Sequence, residues 1–171
     1  RSLGVSNFNA TEVTLLMEGA DASEAPAVNQ VEAHVFWNQR ELRQAMQKWD
    51  IALVAYSPLG NPGVYKDKLQ GMSSLLVEEV AESSGLTPAQ LMLSFLTTLG
   101  DVVIPKSVTP ARIASNANFP LKLPEAAMKR LLSEAPQIRM ANPKIRDGYL
   151  PVFEDAIPQS SGATGKAKGE L

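Results

Sequence analysis

Four short apolar runs, separated by longer amphipathic stretches, set the narrowest limits on how this chain folds. They fall at residues 2–5, 27–31, 51–56 and 102–104. Each is apolar nearly throughout rather than alternating, the pattern of strands buried on both faces of a parallel sheet. Between them the apolar residues return at helical spacing. Asn9 to Glu12 offers a helix start ahead of Val13, Leu15, Leu16 and Met17. Across 39–49, Leu42, Ala45, Met46 and Trp49 recur every three or four positions, one stripe of a helix. The third gap holds two helices, 73–83 and 87–99. Thr87 caps the second, Pro88 takes its first helical position, and Gln90 completes a capping box. Gly85 and Gly100 act as C-terminal stops, and a last helix spans 124–134.

Strands that alternate with helices make βα units and a parallel α/β sheet. A closed parallel (β/α)8 TIM barrel needs eight strands and ~250 residues. This chain of 171 residues offers four strands and no internal repeat, so the expected fold is half of such a barrel. Arg1 stands one residue ahead of the first strand, with no initiator Met and no signal-peptide apolar segment. We read it as a cut inside a larger protein. From Gln159 the sequence turns rich in Ser, Gly, Ala and Lys, the composition of a flexible tail, 159–171.

Composition removes several function classes. The chain has no cysteine, which excludes disulfides, thiolate zinc sites and a cysteine nucleophile, and no metal site is expected. An intracellular, cytoplasmic setting is the expectation. With a net charge of −2 and interspersed signs, neither nucleic acid nor an anionic membrane is an expected partner. No apolar run is long enough to span a bilayer.

In a parallel βα barrel, ligands meet the C-terminal ends of the strands. The polar residues gather there: Ser6 and Asn7, Asn29 and Gln30, Tyr56 and Ser57, Lys106 and Ser107. Each taken singly is equally explained by satisfying a strand end or capping the next helix. Their repetition along one rim exceeds what packing requires. The segment 104–116 is the most pointed, with Lys106 and Ser107 at a strand end, then Pro110 opening a short helix that carries Arg112. Lys and Arg beside a helix start favour a phosphate.

These residues resemble a family. Arg1 to Phe8 is similar to the aldo-keto reductase signature that begins the fifth barrel strand. Ile104-Pro105-Lys106-Ser107, with Arg112, Ser115, Asn116 and Phe119, resembles the signature after the eighth. Asn29 to Glu32 and Ala55 to Gly60 resemble the ends of strands six and seven. The resemblance implies that residues 1–136 are the C-terminal half of the barrel, with an NADP(H)-binding rim. It implies that Ser6, Asn7 and Gln30 hydrogen-bond the nicotinamide carboxamide, and that Tyr56 stacks on the nicotinamide. Ser57 and Leu59 match pyrophosphate contacts. Lys106, Ser107 and Arg112 match the site of the 2′-phosphate, and Ser115 and Asn116 the adenine contacts. There is no Rossmann fingerprint, so that mode of dinucleotide binding is not expected.

The implied activity is reduction of a small aldehyde or ketone by hydride transfer from NADPH. The family's Tyr, Lys, Asp and His catalytic set lies in the first four βα units, which have no counterpart in these residues. No catalytic residue is therefore assigned within this chain, which is expected to be inactive alone and to need the N-terminal half or another chain. The alternative is a non-catalytic NADP-binding half-barrel acting through assembly. His34, the only histidine, does not match the catalytic position and reads as structural. Tyr65 and Tyr149 fall in expected loops. Phe36 and Trp37 either touch substrate or pack on a helix, with Trp37 the candidate substrate contact. Residues 137–158 resemble the family's C-terminal substrate-side loop.

Overall fold

Helix boundaries follow local capping chemistry. In the computed structural model, which describes residues 2–19, 21, 24–60 and 72–140, the Asn9 side chain accepts from the N–H of Glu12 while the Glu12 carboxylate accepts from the N–H of Asn9, both at 2.8 Å. This reciprocal box opens α1 (Ala10–Gly19). The box expected at Thr87 and Gln90 is present and opens α4 (Pro88–Thr98). Gly85 and Gly100 stand at φ 66° and 93°, the left-handed conformation of helix stops. The remaining helices are α2 (Arg40–Gln47), α3 (Met72–Ser83), α5 (Pro110–Asn116) and α6 (Glu125–Glu134).

The strands are β1 (Leu3–Ser6), β2 (Pro26–Glu32), β3 (Ala52–Tyr56) and β4 (Val102–Val103). They form one sheet in the order β1-β2-β3-β4, and every neighbouring pair is parallel. Ile104, expected to close the fourth strand, lies just beyond it. A helix follows every strand, so the sequence-based reading of βα units is what the structure shows.

One expectation is corrected. The apolar strands were expected to be buried on both faces; one face is, while the other is open along its middle and buried at Glu32. Val31, Leu53 and Ala55 join the core with Val13, Leu42 and Met46 of α1 and α2 and with Leu91 and Phe95 of α4. The other face carries the register pairs Val28↔Ala52, Gln30↔Val54 and Val54↔Val102. Along it Gln30 and Ala52 are exposed and Val28 and Val54 half-buried, while Val102 is 51% exposed. Leu3 at one edge of the sheet is 58% exposed. The physical reason is that the helices of the described residues pack on a single side of the sheet. Among those residues no helix is long and apolar enough to cross a membrane.

Candidate functional site

The C-terminal ends of β1, β2 and β3 are stitched together by polar contacts. The Ser6 hydroxyl and the Asn7 N–H both donate to the carbonyl of Gln30 at 2.9 Å. Asn7 takes a left-handed φ of 60°, which carries its side chain to the hydroxyl of Tyr56. That hydroxyl donates to Asn7 Oδ1 at 3.0 Å. The Asn7 amide nitrogen and the exposed Gln30 side chain stay at the rim.

Beyond Tyr56 the chain turns sharply. Ser57 has φ 49°, and the N–H of Gly60 closes the turn by donating to the Ser57 carbonyl at 2.8 Å. Gly60 itself, at φ 65°, suits a residue without Cβ. The turn forms one wall of a cavity of about 600 Å³. Its lining includes Ser57, Pro58 and Leu59 after β3, Ile104 to Ser107 after β4, Arg112, Ser115 and Asn116 of α5, and Ala89 of α4. The two walls are held in register by the N–H of Ile104, which donates to the carbonyl of Ala55 at 3.2 Å. The Ser107 hydroxyl accepts from the N–H of Thr109 at 3.1 Å, bending the chain into α5. Lys106 and Arg112 are exposed at this cavity and are the two cations lining it.

Of the residues singled out from sequence, Ser57, Leu59, Lys106, Ser107, Arg112, Ser115 and Asn116 are thus brought to one cavity. Ser6, Asn7, Gln30 and Tyr56 form a second, adjoining group at the strand ends. Trp37 belongs to neither. It lines a separate cavity of about 360 Å³ with Asn9, the start of α2, Leu132 and Gln137. Its indole N–H is buried without a hydrogen-bond partner among the described residues, and Arg139 lies 5.7 Å from its ring centre. Tyr65 and Tyr149 lie outside the described residues, as does most of 137–158 and all of 159–171.

Sequence reasoning missed a buried polar cluster beside the rim. Glu32 and His34 are both fully buried, and the imidazole Nε2 lies 3.0 Å from Glu32 Oε1. The signal was present in the sequence: two ionisable residues spaced by two inside an apolar stretch, Val31 to Phe36.

Known proteins identify the fold and the family. The aldo/keto reductase family model matches residues 1–133. An aldo-keto reductase of Mycolicibacterium smegmatis is 44% identical over 116 residues, covering 68% of this chain and 39% of that protein. The aldo-keto reductase family 1 member D1 of Oryctolagus cuniculus is 40% identical over 134 residues, covering 75% of this chain and 41% of that protein. Among solved structures, an aldo-keto reductase enzyme from a Medee basin deep-sea metagenome library superposes with a TM-score of 0.71 at 35% identity, over 82% of this chain and 50% of that one. The aldose reductase of Schistosoma japonicum gives 0.69 at 32% identity, over 82% and 44%.

The chain belongs to the aldo/keto reductase family. Its relatives are oxidoreductases, and the family in general depends on a nicotinamide cofactor. The chain spans 36–45% of the length of the first curated relatives it matches.

Proposed function

We propose that this chain is the C-terminal half of an NADP-dependent aldo-keto reductase, supplying strands five to eight of a closed barrel. The intact barrel, on this reading, reduces aldehydes or ketones to alcohols. The observation that carries the proposal is the cavity between the ends of β3 and β4. Its volume of about 600 Å³ suits a small-molecule site. Its two lining cations, Lys106 and Arg112, stand with the hydroxyls of Ser57 and Ser107 and the amide of Asn116. That donor set fits a phosphorylated dinucleotide: the guanidinium supplies a bidentate fork for a phosphate and Lys106 a compact charge.

Each group then has a role. Lys106, Ser107 and Arg112 hold the 2′-phosphate, Ser57 and Leu59 border the pyrophosphate, and Ser115 and Asn116 meet the adenine. Asn7 and Gln30 offer the donors and acceptors that a carboxamide needs, with Ser6 fixing the Gln30 carbonyl between them. The Tyr56 ring is tethered through its hydroxyl to Asn7, which orients its face to stack on the nicotinamide. Bound NADPH supplies a hydride to the carbonyl carbon. The Tyr56 hydroxyl is engaged with Asn7, so the proton for the developing alkoxide comes from the first four βα units.

The test is a pair of equilibrium titrations with NADPH and NADH. Replacing Arg112 with Met removes a charged hydrogen-bond donor worth about 1.5–3 kcal/mol, so NADPH affinity falls roughly tenfold to a hundredfold. NADH affinity stays within about twofold, since that ligand has no 2′-phosphate to lose contact with. Equal losses for both cofactors contradict the phosphate assignment.

A further inference from the structure

At the C-terminal end of β2 the chain buries a carboxylate that cofactor binding leaves unused. Glu32 is 0% exposed. Its Oε1 accepts from the backbone N–H of Met140 at 2.7 Å and lies 3.0 Å from the Nε2 of His34. The guanidinium Nε of Arg139 stands 3.7 Å from Oε2. His34 Nδ1 has no partner among the described residues, so the proton is assigned to Nε2, donating to the carboxylate. A buried carboxylate without partners costs several kcal/mol, so these contacts are a condition of its burial. Two of the partners, Arg139 and Met140, come from a distant part of the chain, Met140 lying 108 positions from Glu32.

The same segment is tied down at further points. The Gln137 side chain accepts from the N–H of Asn38 at 2.9 Å, and the N–H of Ile138 donates to the carbonyl of Phe36. Residues 137–140 are therefore laid along the loop that follows β2, with Glu32 as the buried anchor. Position matters as much as strength. In the sheet register Glu32 is the direct partner of Tyr56. None of the clamped residues lines the cavity that carries Lys106 and Arg112. The segment thus stands at the strand-end rim, where ligands of βα barrels approach, at the Tyr56 end and away from the phosphate end.

We propose that Glu32 is a positioning residue for the substrate: it fastens residues 137–140 beside Tyr56, so that the approach of the carbonyl compound depends on the carboxylate while cofactor affinity does not. The inference rests on the rim being the NADPH site. Glu32 touches neither ligand and acts through the segment it holds.

The test combines hydrogen–deuterium exchange on this chain with binding and kinetics of the intact reductase. In Glu32→Ala, amide exchange at Ile138 and Met140 speeds about tenfold, the loss of one hydrogen bond to a charged group, while α6 amides do not change. The KM for the carbonyl substrate rises about tenfold with little change in kcat, and the NADPH dissociation constant stays within about twofold. Glu32→Gln keeps an acceptor for the Met140 N–H and restores part of both effects. Gln137→Ala, at an exposed position, moves KM the same way without disturbing the buried carboxylate. Unchanged exchange at 138 and 140, or a KM that rises in step with the NADPH dissociation constant, overturns the proposal. A wild-type chain that fails to bind NADPH overturns the functional reading instead, and the exchange measurement still reports on the clamp.

Discussion

Asn7 shows how much one backbone angle does at this rim. Its φ of 60° turns its side chain to meet the Tyr56 hydroxyl while its N–H reaches the Gln30 carbonyl. Asn tolerates this region because its short amide hydrogen-bonds locally, whereas a plain Cβ pays about 1 kcal/mol or more there. Asn7→Gly and Asn7→Ala both lose the bond to Tyr56, but only Ala carries the backbone penalty. Urea unfolding should find Asn7→Ala less stable than Asn7→Gly by about 1 kcal/mol. Equal stabilities would show that the left-handed angle is not imposed by the fold. Sequence placed Asn7 and Tyr56 at the rim, because both stand at the ends of apolar runs. It did not show that they bond, since that contact depends on the register of three strands and on one positive φ.

At the scale of elements, α2 is fixed to the entry of β4 by a buried ion pair. The Arg43 guanidinium grips Asp101, whose side chain is 2% exposed, and Arg43 Nε donates to the Asn38 carbonyl at 2.6 Å. Burial raises the Asp101 carboxyl above its ordinary value, and Arg43 opposes that rise by hydrogen bonding and charge. A folded-state value above the unfolded one means that ionising Asp101 works against the fold, so its contribution is lost as pH rises through the folded value. Arg43→Met removes the opposing cation. The variant should lose up to about 3–5 kcal/mol near neutral pH, and clearly less in acid, where the carboxyl is protonated and no longer needs the cation. An equal loss at both pH values contradicts this coupling.

The helices were legible because period and capping are local: Thr87, Pro88 and Gln90 announce α4 within four residues. The pairing of Arg43 with Asp101 spans 58 positions, and nothing in either neighbourhood marks it. The Glu32 clamp was hidden for the same reason, its Met140 partner lying 108 positions away. The site was legible to the extent that it hangs on strand ends. Lys106, Ser107 and Arg112 were readable there, whereas Trp37 could be read two ways until the structure placed it against the start of α2.

For the whole molecule, the sheet's two faces tell different stories. The apolar runs correctly announced parallel strands, yet one face is left largely open, with Val102 51% exposed. Relatives and solved structures continue over about twice the length matched here. On the proposed reading this chain grips the phosphorylated dinucleotide, and the proton donor belongs to the other four βα units. The most direct test is the steady-state rate at which this chain alone reduces an aldehyde, at an NADPH concentration that titration shows to be saturating. The account predicts a rate indistinguishable from the protein-free control. A turnover number of about 1 s⁻¹ or more, within the ordinary enzymatic range, would contradict it.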